Sequence, residues 1–203
     1  MKLLNPGYES NSVGGSLWYN SGSGNCYNAT NNSTTTCNFT SSGLSENVKS
    51  KIADTLWNLG GGDYAGYANE MFNCEISNNV INSPSDGITR TTSWNGKIAL
   101  MSPSDYGYAV DLTQCDKDLY SYNYGVCKNN NWLFSDEEWL LNPHTNSPEG
   151  VYFIYYDGSV IWDAYLEMIS ASEPINVRPA FYLNENITIT SGAGTAQRPY
   201  VIN

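Results

Sequence analysis

The stretch from Trp139 to Leu183 constrains this chain more than any other. Val151, Phe153 and Tyr155 alternate against Tyr152, Ile154 and Tyr156, which is the period of a β-strand. Asp157-Gly158 follows, a dipeptide suited to a two-residue hairpin turn. Trp139-Leu140-Leu141-Asn142-Pro143 precedes this hairpin, and Val177-Arg178-Pro179-Ala180-Phe181-Tyr182-Leu183 closes the segment. Between these ordered pieces, the runs His144 to Glu149 and Asp163 to Ile169 obey no packing period. A rigid frame around an irregular, tyrosine-bearing insert suits a contact surface, because tyrosine offers large area for little lost side-chain entropy.

With 203 residues the chain is read as a single domain over 1–203. The composition of 16 Tyr, 6 Trp and 18 Gly with only 14% charged residues suits a loop-rich, extracellular or cell-surface protein. Twenty acidic against nine basic residues give a net charge of −11, which argues against phosphate-backbone binding and excludes nucleic acid as the expected partner. No apolar stretch is long enough to span a membrane, so no insertion by this segment is expected. The Met1-Lys2-Leu3-Leu4 start lacks an apolar region of signal-peptide length, so an extracellular chain is expected to have its natural N-terminus upstream or trimmed away.

Five cysteines fall into two local pairs and one remainder. Cys26 and Cys37 bracket a Thr/Asn-rich loop within the loop-rich N-terminal segment, residues 1–43, and Cys115 and Cys127 bracket a Tyr-rich loop. Two loop-stapling disulfides are the expectation, with Cys74 a buried thiol. No Cys-x-x-Cys is present and His144 is the only histidine, so no metal site is assigned.

Ser45 as a cap, Val48, Ile52, Leu56 and Leu59 on one face, and Gly60-Gly61-Gly62 as a stop predict a helix. Trp94 to Met101 is expected to be a strand. Ser102-Pro103-Ser104-Asp105 predicts a capping box with proline in the first helical position, opening a second short helix. Ser135-Asp136-Glu137-Glu138 repeats the capping pattern before Trp139. Val177–Leu183, Ile187–Ile189 and Pro199–Ile202 are expected to be strands. Helices early and strands late give an α+β domain. Arg178, placed before a proline at a strand start, is expected to pair with a buried carboxylate.

Trp94 to Met101, Ser104-Asp105-Tyr106-Gly107-Tyr108-Ala109, the Cys115/Cys127 loop, Asn131-Trp132-Leu133, Trp139 to Pro143 and Val177-Arg178-Pro179-Ala180-Phe181 occur in an order that resembles one family. The chain resembles the C-type-lectin-like domain of prepilin-like surface proteins of gut Firmicutes. It is similar, more distantly, to the variable proteins diversified by retroelements, which include phage tropism determinants. The resemblance runs from about Leu3 to Ile202. It implies a C-type-lectin-like fold of two helices and a twisted, mostly antiparallel sheet with long irregular loops, its first and last strands side by side. It also implies a ligand-binding region within 139–183, between Pro143 and Val177. Retroelement diversification acts on adenines, mostly in asparagine codons, and such changes do not yield Trp162, Glu167 or Met168. Either those positions lie outside the variable set or the chain is not a target.

The expected ligand contacts are His144, Asn146, Tyr152, Tyr156, Trp162, Tyr165, Glu167 and Met168, with Trp162 and Tyr165 as anchors. The expected partner is a protein or glycan on a cell or phage-target surface; the oligomeric state is left open. Formylglycine-generating enzymes share the implied fold class, but their chemistry needs a reactive cysteine pair late in the domain. Here no cysteine follows Cys127, so no catalysis is expected. The sugar-binding lectins use Glu-Pro-Asn and then Trp-Asn-Asp around calcium. This chain has Trp162-Asp163 first and Glu173-Pro174-Ile175 later. No cofactor is assigned, and a structural calcium, needing roughly six to eight convergent oxygens, is left open. A pilin-like subunit or tip domain is the alternative reading.

Overall fold

The computed structural model describes residues 25–27, 33–36, 46–77, 92–145, 150–162, 175–195 and 197–203. Helical segments and several small, mostly antiparallel sheets are mixed along the chain. The first strands, β1 (Asn25–Tyr27) and β2 (Ser33–Thr36), pair with each other. The helical turn α1 (Glu46–Lys49) leads into β3 (Thr55–Asn58), and α2 spans Ala68–Glu75. Next come β4 (Ser93–Gly96), β5 (Ile98–Leu100), α3 (Pro103–Gly107) and α4 (Gly125–Lys128). The later strands are β6 (Glu138–Pro143), β7 (Val151–Ile154), β8 (Val160–Trp162), β9 (Asn176–Val177), β10 (Pro179–Phe181), β11 (Ile189–Ser191) and β12 (Val201–Ile202).

The centre is a four-stranded sheet in the order β8-β7-β6-β9, antiparallel except where β9 runs parallel to β6. Side-chain alternation divides these strands between two apolar clusters. Trp139, Phe153 and Ile161 stand opposite one another in register and form one cluster. Leu140, Tyr152, Ile154 and Val160 point the other way, into the larger cluster with Met71, Tyr106, Leu119 and Tyr122. Both faces of β7 are therefore covered, and the alternation read from sequence distinguishes two interiors instead of interior from solvent.

The hairpin turn differs in length from the two-residue form. Tyr155 and Ser159 are joined by a backbone hydrogen bond of 2.8 Å, and Gly158 N–H donates to Tyr155 O at 2.8 Å. Three residues make the loop, and Gly158 has φ +94°, a conformation that side chains disfavour. The Asp157 carboxylate accepts from Ser159 N–H at 3.0 Å and from its hydroxyl at 2.6 Å. Tyr106 Oη donates to Gly158 O at 2.8 Å, fixing the turn to α3.

The helix expected from Val48 to Leu59 is replaced by one turn and a strand. β3 pairs along its length with β4, so that Trp57 meets Trp94 and is buried, while Leu56 is 56% exposed. Pairing with a distant strand overrode a helical spacing whose members Val48 and Leu56 are exposed. The strand expected over Trp94–Met101 breaks at Lys97, and β5 joins β10 in a separate sheet. At Ser102 the capping box forms, with Asp105 Oδ2 accepting Ser102 N–H at 2.9 Å. The same pattern at Ser135 opens no helix. Its serine hydroxyl donates to Glu138 Oε1 at 3.2 Å beside β6. β12 pairs with β11, and β1 with β2, so among the described residues the first and last strands are not paired with each other.

Cys115 and Cys127 are bonded, with Cα atoms 5.0 Å apart. The Cys26–Cys37 pairing falls outside the described residues. Cys74 is a half-buried free thiol. Arg178 meets the buried carboxylate expected of it: Nη2 lies 2.7 Å from Glu138 Oε1, and Nη1 donates to Leu133 O at 2.7 Å. No helix of the described residues is long and apolar enough to cross a membrane.

Candidate functional site

The parallel pairing of β9 with β6 places the two ends of the irregular region on opposite edges of the sheet. The chain leaves at Trp162 on one edge and re-enters at Asn176, paired with Glu138, on the other. The Arg178–Glu138 contact pins the returning end.

Trp162 lies opposite Tyr152 in the β7–β8 pairing. Its ring stacks on His144 with centroids 5.2 Å apart and planes 6° from parallel. Tyr152 meets it edge-on at 6.2 Å, and Tyr120 lies at 6.5 Å. One face of the half-buried Trp162 is thus fixed by the interior, while Tyr120, at 59% exposure, carries the aromatic surface outward.

The loop from Gly60 to Tyr67 completes this corner. Gly62 bridges to His144, and Thr145 N–H donates to Gly62 O at 2.8 Å. A β-carbon at Gly62 would lie 2.9 Å from Tyr152 Oη, so glycine is what lets the loop pass this ring. His144 Nε2 lies 3.0 Å from Asp63 O, an acceptor, which selects the tautomer protonated at Nε2. Tyr152 Oη donates to Tyr64 O at 3.0 Å, and Tyr120 N–H to Ala65 O at 3.3 Å. These bonds hold the backbone of Tyr64 and Ala65 against Tyr152 and Tyr120.

The electrostatics of this corner are set by burial and by carboxylates. Burial holds the His144 imidazole below its usual value, against the opposing pull of Asp63, so the ring is neutral at pH 7. The Glu70 carboxylate, with burial and Asp63, raises the Tyr64 phenol. Burial first, then Asp63, Glu75 and Glu70, push the Cys74 thiol up, a setting that disfavours the thiolate a nucleophile needs. Among the described residues, no group of three or more His, Cys, Asp or Glu side chains converges in a way that could hold a metal ion.

Of the eight residues expected to contact ligand, the structure brings His144, Tyr152 and Trp162 together and holds Tyr156 apart on the hairpin turn. His144, 4% exposed, and the fully buried Tyr152 belong to the interior and support Trp162 from below. Tyr156 is 61% exposed and packs against Tyr155, with ring centroids 4.2 Å apart. Asn146, Tyr165, Glu167 and Met168 lie outside the described residues. Sequence reasoning passed over Tyr64 and Tyr120. The Tyr-rich loop closed by Cys115–Cys127 was the available signal for Tyr120, and nothing local marked Tyr64.

No protein-family model, curated protein or solved structure matches the chain.

Proposed function

We propose that this chain is a non-catalytic recognition domain of C-type-lectin-like type, displayed outside the cell or on its surface, that binds a protein or glycan through the surface around Trp162. The observation that carries this reading is the arrangement of Trp162. A large ring at a sheet edge is immobilised by a neutral histidine and a buried tyrosine, and the exposed Tyr120 extends its surface. Pre-organised aromatic side chains form contact hot spots because little entropy remains to be lost on binding. The resemblance to prepilin-like and retroelement-diversified surface proteins agrees with a displayed, variable surface in this region of the chain. Screening the domain against arrayed glycans and cell-surface proteins tests the reading. Trp162→Ala is expected to weaken a genuine ligand by about 2 kcal/mol, and a ligand indifferent to it and to Tyr120→Ala would refute the assignment.

One observation favours a second reading, a pilin-like subunit or tip domain. Phe181, Tyr182 and Leu183 are exposed in succession, and this run is joined to the rest of the fold by the Ile52–Leu183 bridge and the Trp57–Tyr182 ring contact at 5.4 Å. An apolar run of this kind suits packing against a neighbouring subunit. Self-association that is lost on Tyr182→Ser, with ligand binding unchanged, would establish it.

A further inference from the structure

His144 is the single histidine of the sequence, and its ring lies flat against Trp162, the residue on which the recognition reading rests. Tyr152 meets the imidazole edge-on at 6.2 Å, and the whole side chain is buried. The frame around the ring is held by bonds that do not pass through it. Asn142 donates to Asn58 O at 3.1 Å and to Gly60 O at 2.9 Å, and Tyr152 Oη donates to Tyr64 O at 3.0 Å. β6 ends at Pro143, so the His144 side chain can turn outward while the strand stays in place.

Protonation places a charge on this buried ring. Among the described residues, Asp63 of the Gly60–Tyr67 loop is the charged group that acts on it, and it favours the charged form. Tyr152 of β7 is neutral, its phenol pushed far up by burial, and Trp162 of β8 does not titrate. Behind Tyr152, Cys74 and Glu75 of α2 keep their protons in acid, because burial pushes the thiol up and the carboxyl to about 7. The attraction of a stacked cation for an indole face is smaller than the hydration a buried ion gives up. Burial accordingly holds the imidazole below its ordinary 6.5, against Asp63. A ring turned out into water regains the ordinary value. Acid therefore favours the turned-out form, by about tenfold per pH unit between the two values.

We infer that His144 is a proton-operated support for Trp162: neutral, it clamps the indole at the sheet edge, and protonated, it leaves the stack, so that the surface shared with Tyr120 comes apart in acid. This rests on the recognition reading above and adds a means of regulation to it.

The test needs no ligand. Protonation of the one histidine is followed in the intact chain by nuclear magnetic resonance between about pH 8 and 4.5. The state of Trp162 is followed over the same range by the difference in tryptophan emission between the wild type and Trp162→Phe. The imidazole is expected to titrate below 6.5, and the Trp162 emission to move to the red at the same midpoint, with the far-ultraviolet circular dichroism unchanged. His144→Gln keeps a donor for Asp63 O without a ring, and is expected to show the red-shifted emission at every pH. His144→Phe keeps a ring that does not titrate, and is expected to hold the unshifted emission throughout. Emission that stays in place through the His144 midpoint, or is quenched there without shifting, would show that the charged ring remains stacked and overturn the inference. A shift that persists in His144→Phe, or an imidazole that stays neutral until the chain unfolds, would overturn it equally. None of these results touches the array screen, which decides the recognition reading separately.

Discussion

Glu75 is a buried carboxyl whose charge no cation among the described residues compensates, and it makes folding stability depend on pH in an unusual direction. It ends α2 and accepts two bonds from Ser104 at the start of α3, 2.8 Å from the amide and 2.5 Å from the hydroxyl. Burial pushes its pKa from the ordinary 4.5 to about 7; the Ser104 bonds oppose the shift, and Asp105 adds to it. Below the unfolded value, Glu75 is protonated in both states and costs nothing. As pH rises, the unfolded chain releases its proton first, and the folded chain keeps its own until about pH 7. Stability therefore falls through that window, by about 1.4 kcal/mol per pH unit and about 3 kcal/mol in total from this group. Glu75→Gln removes the titration while preserving the contacts, since its amide oxygen accepts from the Ser104 amide and its NH₂ donates to the hydroxyl. Denaturant unfolding of both proteins across pH 4 to 8 isolates the contribution of Glu75 from that of the other carboxylates. The variant is expected to gain on the wild type steadily as pH rises and to be the more stable by roughly 2–3 kcal/mol at pH 8. A difference that is flat with pH, or one that grows in favour of the wild type, would refute the reasoning.

Three further outcomes are expected. Gly158→Ala forces a β-carbon into a φ of +94° and to within 3.1 Å of Lys128 Cγ, costing about 1–2 kcal/mol by the same unfolding assay. Arg178→Ala leaves Glu138 buried without its partner and is expected to cost about 3 kcal/mol, with much of the loss recovered in Arg178→Ala/Glu138→Gln. Replacing both Cys115 and Cys127 by serine opens a loop of sequence separation 12 and is expected to lower stability by about 3 kcal/mol, measured against the oxidised parent.

What the sequence revealed and concealed follows from the range of the interactions involved. Short-range signals fared best: the Ser102 capping box formed, Cys115 and Cys127 bonded across a separation of 12, and Asp157-Gly158 sits in the hairpin turn, though in a three-residue loop in place of the two-residue one expected. The pairing of Arg178 with a carboxylate was also legible, although Glu138 as its partner was not, because that choice depends on β9 lying parallel to β6. The helix from Val48 to Leu59 failed because β4, distant in sequence, claimed Thr55–Asn58 as a strand. α2 was missed because its buried face includes Glu75, a residue that reads as surface until Ser104 is seen to satisfy it. The candidate site was half visible. Tyr152 and Tyr156 share a parity in sequence, yet one ends in the core and the other in the turn, because the strand stops at Ile154. Trp162 stood out, but its dependence on His144 and its continuation into Tyr120 come from packing between segments far apart in the chain. That packing also means that Trp162→Ala perturbs stability as well as binding, so the exposed edge of the site is better probed at Tyr120.

The most direct test of the recognition surface is a pair of binding isotherms, for Tyr120→Ala and Tyr182→Ala, against a ligand captured by the wild-type domain in the array screen. Both tyrosines are exposed, so neither substitution should disturb the fold, and the two lie on the two surfaces that the readings above assign to different roles. The account predicts affinity reduced by about fivefold or more for Tyr120→Ala and unchanged for Tyr182→Ala. Affinity lost with Tyr182→Ala and retained with Tyr120→Ala would contradict it and place the contact on the Phe181–Leu183 face.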